Sequence, residues 1–373
     1  MNKRVLVIAN AYPNATHAYV NNDVDYLASQ ATVLVLSKRQ PTAPFYSSHD
    51  FNFFDNMQQL ELLAKEFKPD FIISWMLPNH FYARHIAELL SVPFVLKAHT
   101  PDVFRFTRGV ARIKDELKAL LVGEERLSLS YRILMRSLAR TARSPMLRGV
   151  FSIPALQESL ARFFPREKLR EMQPWFNFAA FHDESANGGK VLALGSLVNR
   201  RENQTTFASV LGAIDDPVDW IAVPTPGCLW LDIPGIPANV TIRKYLPPEQ
   251  MPALYKSYKA MLIIAEGKLG RGLPLSVLEA QAAGVTVIAP SLRPDFDDFV
   301  TRGGGFMFTS ESEIPQLLAQ AQQPERRAMG FRHAARHGAE SFRQELATVG
   351  LEFAPPAIAS EDLSLQQRLM ANA

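Results

Sequence analysis

Gly270-Arg271-Gly272-Leu273-Pro274-Leu275-Ser276-Val277-Leu278-Glu279-Ala280-Gln281-Ala282-Ala283-Gly284, running into Val285-Thr286-Val287-Ile288-Ala289, is the stretch that decides the fold. Glycines open a tight turn, and Pro274 suits a first helical position. Leu275, Leu278 and Ala282 supply one buried stripe, and Gly284 stops the helix. The segment therefore predicts loop, short helix and buried strand. A helix start preceded by glycines presents free backbone N–H groups and partial positive charge, a natural seat for phosphate. Glu279 lies one to two turns inside, and helical side chains lean toward the N-terminus. Its carboxylate then reaches a group just beyond the phosphates, such as a pair of ribose hydroxyls. The plain alternative is an ordinary strand–helix unit with a glycine-rich turn.

Outward from this stretch, short β-branched runs alternate with helical patterns, which predicts parallel sheets covered on both faces. First-half strands are expected near 5–9, 32–36, 71–75, 94–98 and 149–153, with helices around 20–29 and 81–90. Second-half strands are expected near 191–194, 219–223, 240–243, 260–264, 285–289 and 305–308, and residues 326–349 read as helical. Between the halves, Asp183-Glu-Ser-Ala-Asn-Gly-Gly189 is polar and small, as a linker is. A chain of 373 residues that is 47% hydrophobic is long enough for two cores. The expectation is an α/β architecture of two doubly wound domains, 1–182 and 188–350, facing across a cleft, with a tail, 351–373, packing back on the first. Ligands of such folds sit at the carboxyl ends of the strands.

A single cysteine, Cys228, excludes an intramolecular disulfide framework and a Cys-cluster metal site. The start, Met-Asn-Lys-Arg followed by Val5-Leu-Val-Ile-Ala9, has too short an apolar run for a signal peptide and reads as a first buried strand. The lone cysteine implies a reducing, cytoplasmic compartment, and because no stretch approaches a membrane span any bilayer contact is expected to be peripheral, on the inner face. Residues 103–148 carry eleven Lys/Arg against four acids, a local balance of +7, while the whole chain is +3 and the remainder therefore −4. Leucines and isoleucines interleave these bases at helical spacing. The pattern fits either an interfacial helix on an anionic membrane or a solvated amphipathic helix. Phe104, Phe106 and Tyr131 form no stacking pattern, so nucleic acid is not expected as a partner.

The stretch 272–280, Gly-Leu-Pro-Leu-Ser-Val-Leu-Glu-Ala, resembles the signature of retaining, nucleotide-sugar-dependent GT-B glycosyltransferases of the GT4-like group, which carry Glu-x7-Glu there. Glu279 matches the second glutamate, to which the resemblance assigns the nucleotide ribose. The first falls on Arg271, and Glu266 upstream is the nearest other carboxylate. An arginine at a helix N-terminus is disfavoured by ~0.3–1 kcal/mol, so Arg271 either meets a bound anion or is merely solvated.

The likeness continues in residues 69–78 and 86–102, a strand, a helix and a strand ending Ala98-His99-Thr100-Pro101-Asp102, where the family has His-Gly-x-Asp and Thr100 replaces the glycine. By resemblance His99 faces the cleft and contacts a donor sugar hydroxyl and phosphate. Asp102 orients His99, receives the acceptor, or caps the next helix. Leu194-Gly-Ser-Leu-Val-Asn-Arg-Arg-Glu-Asn203 is similar to the family's diphosphate loop, with Ser196 at the arginine position and Arg200 and Arg201 nearest the lysine.

The resemblance thus implies a metal-independent hexosyltransferase without a cofactor, whose substrate is a UDP- or GDP-sugar and whose acceptor is a glycan or lipid-linked sugar of surface polysaccharide. His99 and Asp102 would serve catalysis; Arg200, Arg201, Arg271, Gly272, Leu273 and Glu279 would hold the donor. Ser196 and Arg271 break the donor pattern, and a catalytically silent partner or scaffold subunit is the second reading. A nucleotide-sugar 2-epimerase shares the architecture, but no acid and base pair is placed for proton abstraction.

Overall fold

Continuous apolar runs with β-branched residues form the interior strands, because a parallel sheet covered on both faces buries both sides of every strand. The computed structural model describes residues 3–13, 18–39, 49–99, 103, 136–194, 210–221, 236–243, 246–264, 272–354 and 369. Among these, the first sheet contains β1 (Arg4–Ala11), β2 (Thr32–Arg39), β3 (Phe51–Phe53), β4 (Phe71–Trp75), β5 (Phe94–Lys97), β6 (Leu147–Ser152) and β7 (Leu169–Glu171) in the order 3-2-1-4-5-6-7, all parallel. The second contains β8 (Lys190–Leu194), β9 (Val218–Ile221), β10 (Val240–Arg243), β11 (Tyr258–Ile263), β12 (Thr286–Pro290) and β13 (Phe306–Phe308) in the order 10-9-8-11-12-13, again parallel. Each is doubly wound, with its order reversing between β1 and β4 in one and between β8 and β11 in the other. Crevices for ligands open at the carboxyl side of such reversals.

The expected strands are all present, shifted by no more than a few residues at their ends, and β3 and β7 add two short edges. The expected helix over 326–349 is two helices, Pro324–Ala335 and Ala339–Ala347, separated at His337-Gly338.

Apolar side chains change sides at two points. Trp175 belongs to the core around the first sheet, and Phe176 and Phe178 belong to the core of the second. On return, Ala334 and Ala335 pack in the second core, whereas Phe342, Leu346 and Val349 are buried in the first. Both crossings thus precede the limits at 182 and 350 drawn from sequence. The polar segment 183–189 is not slack: Lys256 Nζ donates to the carbonyls of Asp183 (3.0 Å), Ser185 (2.7 Å) and Ala283 (3.3 Å), and Arg327 donates to those of Glu184 and Ser185. That segment rides with the second domain.

The returning helix is locked by a buried ion cluster. Lys97, the last residue of β5, is 1% exposed, and its ammonium lies 2.8 Å from Asp23 on the helix Ala18–Gln30 and 2.9 Å from Glu345 on the helix Ala339–Ala347. The rings of Trp75 and Phe342 flank it at 4.7 and 4.3 Å. Trp175 Nε1 donates to the other oxygen of Asp23 at 2.8 Å. Burial disfavours the ammonium, but the two carboxylates outweigh it and hold the Lys97 pKa up. Burial also raises both acids against the pull of Lys97, Glu345 to about 7.

Removing the cation strands two buried acids. K97A is expected to cost about 3–5 kcal/mol of unfolding free energy, measured in urea. K97R, too large for the aromatic cage, recovers only part of that loss. A K97A protein as stable as wild type would show that the cluster does not lock the helix.

Candidate functional site

The helix that opens the second domain's ligand edge is Leu275–Ala282, beginning one residue later than expected: Pro274, at φ −75° and ψ 132°, is its N-cap rather than its first turn. An extended cap followed by leucine lets the Pro274 carbonyl accept from the Val277 N–H at 3.1 Å. The helix ends where Gly284 adopts φ +75°, which L side chains resist. Gly284 N–H bonds the Gln281 carbonyl (3.1 Å) and Val285 N–H that of Ala280 (2.8 Å), a closed C-terminal lock that feeds directly into β12.

Gly272, Leu273 and Pro274 at the helix tip are half-buried, and Leu273 packs against the cores of both domains. The tip therefore stands where the two lobes meet. Glu279 is the fifth residue of the helix. The residue is half-buried, and Tyr255 donates its hydroxyl to Oε2 at 3.0 Å. Burial raises the carboxyl pKa to about 7, with the tyrosine hydrogen bond pulling the other way. Tyr255, itself buried at the end of the helix Met251–Tyr255, carried no sequence signal for this role, because nothing local ties it to Glu279.

On the facing lobe, His99 lies two residues beyond β5, half-buried at the carboxyl side of the sheet. Its carbonyl accepts from Val103 N–H at 3.1 Å, and its ring stacks on Tyr19 with centroids 4.4 Å apart and planes 13° apart. Tyr19, in the first turn of the helix after β1, also meets Trp75 of β4 at 4.8 Å. The next residue after β4, Met76, has φ 72°, an uncommon backbone state for a side-chain-bearing residue, held by its N–H to the Lys97 carbonyl (3.0 Å). Three neighbouring strand ends thus converge on one corner.

Of the candidate residues, His99 lies at the carboxyl side of the first sheet, and Gly272, Leu273 and Glu279 lie in and just before the helix Leu275–Ala282 of the second domain. Asp102, Arg200, Arg201 and Arg271 lie outside the described residues, as do Ser196, Glu266 and residues 104–135 of the basic stretch. Among the described residues no cluster of three or more metal-ligating acids, histidines or cysteines occurs, and no helix is long and apolar enough to cross a membrane.

Residues 201–347 match a family model described as glycosyl transferase-like. No curated protein matches the sequence. Among solved structures, the chain is similar to sucrose-phosphate synthase from Thermosynechococcus elongatus at 12% identity and a TM-score of 0.60, over 100% of both chains. It is similar to Anabaena HepE in complex with UDP at 12% identity and 0.61, over 99% of each chain; HepE is also solved with UDP-glucose. The lipopolysaccharide outer core galactosyltransferase WaaB, in its apo form, aligns at 11% identity and 0.56, over 92% of this chain and 99% of that one. These likenesses show the GT-B fold.

A carboxyl held above its unfolded value binds its proton more tightly when folded. The stability it contributes is complete below the ordinary glutamate pKa of 4.5 and is lost as pH rises through about 7. At about 1.4 kcal/mol for each pH unit, the loss is at most on the order of 3 kcal/mol. Urea unfolding of wild type against E279Q from pH 4.5 to 8 is expected to show a decline in the wild type that the glutamine variant flattens; parallel curves would mean the carboxyl is solvated.

Proposed function

We propose that this chain transfers a hexose from a nucleoside diphosphate sugar to a glycan or lipid-linked acceptor, a reading supported by the match of residues 201–347 to a glycosyl transferase-like family model and by the GT-B fold. The transfer retains configuration at the anomeric carbon, as in the GT4-like group the sequence resembles, and serves surface polysaccharide assembly. The observation that carries the reading is the placement of the Gly272–Leu273 tip between the two cores, with Glu279 just behind it and His99 on the facing lobe.

In this reading Glu279 accepts from the ribose hydroxyls, and the N–H groups of the helix tip meet the diphosphate. Arg200, Arg201 and Arg271 supply positive charge. The departing nucleoside diphosphate gains negative charge as the bond to the sugar breaks, so cations and N–H dipoles aimed at it lower the barrier without a metal ion. His99 contacts a sugar hydroxyl and the adjacent phosphate, a task that needs position rather than an altered pKa. Asp102 borders the acceptor side. Closure of the lobes keeps water from the activated sugar. UDP is the favoured nucleotide, supported by the HepE complexes, with GDP the alternative. Within the basic stretch 103–148, Val103, Leu138, Ala142 and Leu147 are buried in the first core, so a peripheral hold on an anionic cytoplasmic membrane face would fall to the bases of 104–135.

Arg271 and Ser196, which replace the family's donor-binding glutamate and arginine, favour a second reading, a silent member that binds nucleotide as a partner subunit. Assays with UDP-, GDP- and ADP-sugars separate the two, since a silent member shows calorimetric binding of nucleoside diphosphate without transfer or hydrolysis.

A ribose diol donates more strongly to the charged carboxylate, with its two anionic oxygens, than to the acid, with one neutral carbonyl oxygen. UDP affinity is accordingly expected to rise by several-fold between pH 6 and pH 8 as Glu279 ionises, and E279Q is expected to bind weakly with no such rise. E279A and H99A are each expected to lower transfer at least tenfold; wild-type rates in both would remove the assigned roles.

A further inference from the structure

Tyr19 occupies a singular place among the described residues. Its ring packs against the cores of both domains, as Leu273 does from the opposite lobe. It is also the ring on which His99 lies flat, 4.4 Å between centroids at 13°, while its other neighbour, Trp75, is tilted at 47° and 4.8 Å. Trp75 in turn flanks the buried ammonium of Lys97, so the surface supporting Tyr19 is anchored in the first core. His99 itself sits in irregular chain beyond β5. A ring stacked face to face on it favours the imidazole rotamers that keep the two faces in contact.

We propose that Tyr19 is a positioning residue for glycosyl transfer: its ring holds the His99 imidazole in the plane required to meet the donor, and its contact with the second core ties that orientation to the approach of the two lobes. This deepens the reading above and rests on the assignment of His99 to the donor. Tyr19 need not touch the donor to act. What it contributes is the ring face, so phenylalanine substitutes for it, and leucine fills the space without restoring the stacking.

The test combines spectroscopy with kinetics on the full chain. In wild-type protein the His99 ring protons, identified by their absence in H99A, resonate upfield under the Tyr19 ring current. They stay upfield in Y19F and move downfield in Y19L. Transfer from the donor is expected to fall roughly tenfold in Y19L, mainly in kcat, and to stay within about twofold of wild type in Y19F. In an H99A background, Y19L adds no further loss, because the two residues act as one unit.

Unmoved His99 signals in Y19L, an equal loss in Y19F, or full additivity with H99A would each overturn the proposal. Wild-type activity in H99A would overturn it through its premise, and ring-proton shifts that still respond to Y19L would mark the donor role of His99, not the stacking, as the part that failed.

Discussion

A lysine ammonium sealed between two carboxylates and two aromatic rings ties the architecture together. Lys97 ends β5, Asp23 lies on the helix after β1, and Glu345 lies on the helix that returns from the second lobe. Taking three ionisable groups out of water is unfavourable unless each finds its partner, so the cluster forms only when these three elements are correctly docked. The same strand that delivers Lys97 to the interior carries His99 to the cleft two residues later. The position of the candidate donor-facing histidine is therefore set by an interaction in the core, and the second lobe is held to the first by a helix that contributes one of the acids.

Much of this was legible in the amino-acid order. Strands such as Phe71–Trp75 and Tyr258–Ile263 stand out because interior strands covered on both faces are buried along almost their whole length, and that leaves a run of mostly apolar residues. The edge strands of the first sheet leave none: Phe51–Phe53 and Leu169–Glu171 are three residues long and partly exposed, too short for any period to show. The helix 275–282 was read correctly in kind because glycine brackets both ends. Its start was misplaced by one residue, since Pro274 suits an extended cap as well as a first turn.

The site was legible only where a residue's role follows from its own element. Glu279 could be placed from helix geometry, but Tyr255, its hydrogen-bond partner, belongs to a different helix, and only tertiary packing unites them. Lys97 is a charged residue at the close of an apolar strand; its two acids are distant in the chain, and no local pattern announces them. Tyr19 was invisible for the same reason, its meaning residing in the convergence of three strand ends.

Where the chain passes between lobes, its two passages are joined to one another. Phe176 N–H bonds the His337 carbonyl at 3.0 Å, and the His337 ring donates through Nδ1 to the Pro174 carbonyl at 2.8 Å. Two hinge pins set side by side and tied together allow swinging about a single line while resisting sliding and twisting. Any rotation of one lobe on the other would then be taken up by the few backbone torsions at residues 174–177 and 337–338.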